Sequence, residues 1–212
     1  MSTSSNSADR RLPTGTVTFL FTDIEGSTVL AQDYPNEMGA LLERHDAILR
    51  QSIEAHDGYV FRITGDAFAA AFHTGRDAVN AAFHAQRRLQ QEAWQPTPVK
   101  VRMGIHTGAA QAEALNNLGD GYDGYLTLTR VQRVMSAAHG GQVLLSSASA
   151  ELVRGQLTDE VTLRDMGEHR LKGLVNPEHL WQLVAPDLLS EFPPLQSLNT
   201  IPTNLPAQPT TL

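Results

Sequence analysis

Apolar and polar positions change period several times along the chain, and each change marks an element. A short apolar run over 16–22 predicts a strand. Met38, Leu41, Leu42, Ile48, Leu49 and Ile53 then recur at three- and four-residue steps, which predicts a helix over about 36–56 with one buried face, ended at Gly58. His45 lies on that same stripe. Two strands, 59–64 and 67–72, pair across a turn at Gly65-Asp66, and a second helix over about 75–94 carries Val79, Ala82, Phe83, Gln86 and Leu89 on one face. Residues 99–107 alternate as a strand that stops at Gly108. This β-α-β-β-α-β order predicts an α+β, ferredoxin-like core: an antiparallel sheet with both helices on one face. Beyond it the pattern predicts a loop at 109–125, a helix at about 127–138, a strand at 142–145, a short helix at 147–154 and two closing strands near 161–169 and 179–184. These form a C-terminal extension of the core.

Outside this patterned region the composition differs. Residues 1–14 are polar and Ser-rich and read as a disordered lead, without the apolar stretch of a secretory signal. From Pro186 onward prolines recur among Asn, Thr and Leu, so 186–212 reads as an extended linker and the chain as one domain, 15–185, of a longer protein. No apolar run approaches the ~20 residues of a membrane helix. With 16 basic against 23 acidic residues the net charge is −7, which disfavours a nucleic-acid or anionic-membrane surface. The chain has no cysteine, which removes disulfides, thiol catalysis and zinc–thiolate sites and makes a cytoplasmic setting the simplest expectation.

Two signatures carry chemistry: Phe21-Thr22-Asp23-Ile24-Glu25-Gly26-Ser27-Thr28 and Thr64-Gly65-Asp66-Ala67-Phe68. Either aspartate alone is an ordinary turn residue. Together they are more, because the predicted strand order brings both carboxylates to one edge. Two carboxylates beside a Gly-Ser-Thr turn suit a Mg²⁺–triphosphate complex: the ion takes one or two carboxylates plus phosphate oxygens. Successive N–H groups at Glu25, Gly26, Ser27 and Thr28 can form a nest for phosphate. Glu25 is otherwise a solvated loop charge or a third ligand. His45, His106 and His139 lack a second ligand at metal spacing and read as structural, and Trp94 and Trp181 as core-edge residues.

The blocks TGTVTFLFTDIEGST, FRITGDAFAAAF, VKVRMGIHTG and RVMSAAHGGQVLLS resemble the class III adenylate/guanylate cyclase catalytic domain, in that family's order and spacing, from about Thr14 to Val184. The resemblance implies a homodimer with catalytic sites shared between subunits. One subunit would hold two Mg²⁺ or Mn²⁺ ions through Asp23, the Ile24 carbonyl and Asp66. The other would supply base-reading residues, a transition-state pair and a phosphate-binding lysine. The tail FPPLQSLNTIPTNLPAQPTTL resembles the linker that in bacterial members leads into a signalling ATPase module.

Several positions depart from the family pattern. Where adenylate cyclases carry a base-reading lysine four residues before the second metal aspartate, this chain has Arg62. The second base-reading position falls in LGDGYDGYL, at Tyr122, Asp120 or Asp123. Arg133 matches the transition-state arginine, and Thr129, one turn earlier, stands where asparagine is expected. Lys172, or Arg170, matches the triphosphate lysine. The expected activity is conversion of a nucleoside triphosphate, ATP by default, to a 3′,5′-cyclic nucleotide and pyrophosphate. GTP or a pyrimidine triphosphate is an alternative substrate. A weakly active, nucleotide-sensing regulatory module is the alternative function. A GGDEF-type cyclase is excluded, since the 64–68 hairpin lacks that motif.

Overall fold

The computed structural model describes residues 12–115 and 119–198, apart from the side chains of 114, 115, 119 and 120. Its core is β1 (Gly15–Ile24), α1 (Ser27–Asp33), α2 (Met38–Glu54), β2 (Tyr59–Thr64), β3 (Ala67–Phe72), α3 (Gly75–Gln91) and β4 (Val101–Leu115). Then follow β5 (Gly119–Asp123), α4 (Tyr125–Ala137), β6 (Val143–Ser146), α5 (Ser147–Val153), β7 (Thr162–His169) and β8 (Glu178–Val184). The strand order is β2-β3-β1-β4-β6-β8-β7, with β5 paired to β4. Strands β1 to β4 are antiparallel throughout, the ferredoxin-like arrangement the pattern predicts. The extension joins through β6, parallel to β4, with α4 as the crossover between them.

Both faces of the central strands are covered. Alternation along β1 sends Leu20 and Ile24 into the cluster shared with Ile48, Leu49 and Ile53 of α2 and Val79, Ala82 and Phe83 of α3. Val17 and Phe19 point the other way, into a cluster with Tyr122 of β5 and Val131 of α4. Helix α4 lies so close to β4 that a Cβ on Gly104 would sit 2.4 Å from the Met135 nitrogen, so only glycine allows this crossing.

Two departures from the expected elements bear on function. Strand β4 does not stop at Gly108; it runs on to Leu115 and pairs back with β5, where a loop at 109–125 is expected. Its outer half is alanine-rich, and alanine signals strand poorly. The short helix α1 opens directly from Gly26, at φ +72°, the left-handed conformation that glycine adopts without strain.

His106 of β4 is 3% exposed, and its Nδ1 lies 2.7 Å from Ser146 Oγ. Burial, with a smaller contribution from Arg130, lowers it from 6.5 to about 4. The folded protein therefore keeps this ring neutral while the unfolded chain takes up a proton near pH 6.5. Stability is expected to fall as pH drops from about 6.5 and to level off below about 4, by roughly 3 kcal/mol from this group. Urea unfolding at pH 7.5 and pH 5 tests this, with His106→Gln losing less on acidification. An unchanged pH dependence in that variant would remove the buried-imidazole explanation.

Candidate active site

Strand β1 ends on Asp23 and Ile24, and the β2–β3 turn places Asp66 beside them because β3 runs along β1, with Thr22 opposite Phe68. The Ile24 N–H donates to Asp66 Oδ2 at 2.8 Å. Burial is the main cause that raises the Asp23 carboxyl above its ordinary value; Arg102 opposes this, and Asp66 adds to it through charge and hydrogen bonding. The two carboxylates thus feel one another.

Arg102 is the residue of this edge that periodicity and motif both miss. It stands directly across from Asp23 in the β1–β4 register, where its Nε donates to Asp23 Oδ2 at 2.9 Å and its Nη2 donates to the same oxygen. Only the register could reveal it. Below the pair, the buried His45 sets its ring edge-on to Phe68, with centroids 5.8 Å apart. Its Nδ1 meets Asp46, and burial lowers its pKa despite the nearby acidic charges.

This donor set fits a hard divalent cation. It offers oxygen alone: one carboxylate from the end of β1 and one from the β2–β3 turn, with the Ile24 carbonyl between them in sequence. Among the described residues no group of three or more His, Asp or Glu side chains could enclose a metal. A divalent ion held there would need further oxygens, of the kind a phosphate offers.

The adjoining loop offers backbone N–H groups unevenly. The Glu25 N–H is spent on the Lys100 carbonyl at 2.9 Å, and its carboxylate lies 3.6 Å from His139 Nδ1. Ser27 and Thr28 open α1, where N–H groups have no partner within the helix.

The remaining candidates gather around α4. A bulge in β2 between Val60 and Arg62 lets the consecutive residues Phe61 and Arg62 line one cavity of about 330 Å³. Phe21 and Leu128 give it apolar walls, while Thr22 and Gln132 add polar ones; Gln132 is a second residue that motif reading misses. Half-buried Thr129 lies one turn before Arg133 on the same helix. Arg133 and Lys172 line a separate cavity of about 360 Å³. The Arg133 Nε is buried without a hydrogen-bond partner among the described residues, and Gly173 packs close to its guanidinium. Arg170 is exposed in the same connection, its carbonyl accepting the Leu198 N–H.

The 119–123 candidates diverge. The Tyr122 ring is 7% exposed, packed edge-on against Phe19 and Phe61 at 5.0 and 4.9 Å between centroids. Asp123 is exposed at the end of β5. The backbone of Asp120 pairs with Ala114, and its side chain lies outside the described residues.

Comparison with known proteins gives this geometry a family. A model of the adenylate and guanylate cyclase catalytic domain matches residues 11–185. The uncharacterized protein Rv0891c of Mycobacterium tuberculosis is 40% identical over 202 residues, covering 94% of this chain and 67% of that protein. The adenylate cyclase of Neurospora crassa is 26% identical over 81% of this chain, which spans only 10% of that much longer protein. Among solved structures, an adenylate cyclase from Trypanosoma brucei in its monomeric state superposes with a TM-score of 0.76 at 26% identity, covering 87% of this chain and 94% of that one. By sequence and by fold, the chain belongs to the adenylate and guanylate cyclase catalytic-domain family.

Proposed function

We propose that the chain cyclises a purine nucleoside triphosphate at a site shared between two copies, one giving the Asp23–Asp66 edge and the other the α4 edge. The observation that carries this reading is the division of the site residues. Asp23 and Asp66 meet at one strand edge, while Arg133 and Lys172 line a different cavity. Each set is half of what phosphoryl chemistry needs.

In this reading Asp23, Asp66 and the Ile24 carbonyl hold two Mg²⁺ or Mn²⁺ ions. Bound there, the ions supply Lewis acidity for the ribose 3′-hydroxyl and positive charge for the triphosphate. The hydroxyl oxygen forms a bond to the α-phosphorus, the bond to the bridging oxygen breaks in line, and pyrophosphate departs. The hydroxyl proton passes to solvent. Arg133, with a planar fork of donors, holds the charge that builds on the α-phosphoryl oxygens. Thr129 donates its hydroxyl to the ribose, a single contact where an amide would give more. Lys172 pairs with the triphosphate, with Arg170 nearby, and the Gly26, Ser27 and Thr28 backbone receives phosphate oxygens.

The Arg62 cavity receives the base. ATP is the substrate of the first reading, in keeping with relatives named adenylate cyclase. Arg62 itself favours a second reading, GTP, since a guanidinium only donates and guanine offers the paired acceptors O6 and N7. Gln132, able to give and accept, serves either base. Asp123 at the rim and Asp120 are the further candidates for base contact.

Incubation with Mn²⁺ and each of ATP, GTP, CTP and UTP, with products identified by mass, tests this reading. A cyclic purine nucleotide is expected. Arg62→Ala should cut discrimination between ATP and GTP by about 10- to 100-fold. If nucleotide binds but no cyclic product forms from any of the four, the chain is a nucleotide-sensing module instead. If Arg62→Ala leaves the ATP/GTP ratio unchanged, the base is read elsewhere.

A further inference from the structure

Residues 186–198 form a strap along the domain. At its start the Asp187 carboxylate meets Arg87 Nε at 2.6 Å, and the Asp187 carbonyl accepts from Gln90 at 2.9 Å. The Ser190 carbonyl next accepts from Gln182 and Arg164, at 2.8 and 2.9 Å. The Phe192 ring then lies parallel to His139, which reaches the Pro194 carbonyl through Nε2 at 3.0 Å.

The strap ends on the α4 half of the site. Leu195 is 2% exposed and joins a cluster with Val134 and Ala137 of α4 and with Leu171. Val134 adjoins Arg133, and Leu171 adjoins Lys172. One buried side chain of the strap therefore shares a single apolar cluster with both stretches that carry the two cations. The Gln196 N–H donates to the Ala137 carbonyl at 2.9 Å, satisfying a carbonyl at the C-terminal end of α4 that the helix leaves open. The Leu198 N–H donates to the Arg170 carbonyl at 2.9 Å, and the Ser197 hydroxyl meets His169 Nδ1 at 3.0 Å. Gln196, Ser197 and Leu198 line the Arg133–Lys172 cavity. Among the described residues the Arg133 Nε has no hydrogen-bond partner, and Arg133 lines that cavity beside the strap residues.

We propose that the strap is a positioning part of the Arg133–Lys172 half-site, with Leu195 the residue that fixes the spacing of the two cations. The inference rests on the shared-site reading above. Truncating Leu195 loosens the strap where it meets α4 and Leu171, and so impairs the α4 half, while the Asp23–Asp66 edge keeps its own contacts.

Mixed-subunit assays on the full chain separate these possibilities. Leu195→Ala is expected to lower kcat about tenfold or more with little change in the Mn²⁺ dependence, and Leu195→Met to restore most of it. Mixed with Asp23→Ala, Leu195→Ala should regain activity, because the Asp23→Ala subunit brings an intact α4 half. Mixed with Arg133→Ala it should regain none, since both subunits then lack that half. Wild-type kcat in Leu195→Ala, recovery with both partners, or recovery with neither would overturn the proposal; the last result marks a fold-wide defect. The Asp23→Ala plus Arg133→Ala mixture is the reference. If that mixture stays dead, the shared-site reading fails first and the strap proposal falls with it.

Discussion

Replacing Asp66 with asparagine is expected to lower cyclic-nucleotide formation by about 10³-fold or more while leaving the fold in place. Asparagine keeps an oxygen to accept the Ile24 N–H, now held by Asp66 Oδ2 at 2.8 Å, so the turn geometry survives. What it loses is the charge, and with it much of the hold on a divalent cation that the proposed site would have. Asp23→Asn should be as damaging to activity but harder on stability. Arg102 is half-buried against Asp23, and weakening that pair leaves its guanidinium poorly compensated, at a cost of about 1–3 kcal/mol. Activity under Mn²⁺ and thermal melts of both variants check this. Wild-type turnover in Asp66→Asn would remove the metal role from this edge.

The second large effect belongs to Arg133. Arg133→Ala is expected to cost about 10²- to 10³-fold in kcat, with a smaller change in KM, because in the proposed mechanism its charge matters most when negative charge builds on the α-phosphoryl group. Stability should move little or rise, since the guanidinium Nε is buried without a partner among the described residues. Arg133→Lys restores the charge but not the fork, and should recover only part of the loss. Steady-state kinetics with unfolding curves distinguish this from a packing role: an alanine variant that loses stability but keeps kcat would make Arg133 a structural residue.

How much of this was legible follows from what each feature depends on. The apolar run of β1, the stripes of α2 and α3 and the β2–β3 turn are local patterns, and the strand order they imply is enough to bring Asp23 and Asp66 together. Arg102 was invisible because its pairing with Asp23 depends on cross-strand register, which no local pattern carries. The β4–β5 hairpin was hidden by alanines that satisfy a strand only once its partner is present. That hairpin buries Tyr122 against Phe19 and Phe61, a setting that loop spacing alone does not reveal. The strap shows the sharpest limit. Its prolines signal an extended chain, and residues 186–198 carry no helix or strand longer than a turn. Composition says nothing of where such a chain lies, which here depends on Arg87, Arg164, His139 and a pocket for Leu195 formed by distant segments.

The central claim is that one chain carries two complementary halves of a catalytic site. Mixing purified Asp23→Ala and Arg133→Ala tests it most directly. Random pairing makes half of the dimers mixed, each with one whole site of two, so activity should rise from near zero to about a quarter of wild type. Two variants that still dimerise yet remain inactive when mixed would contradict the account.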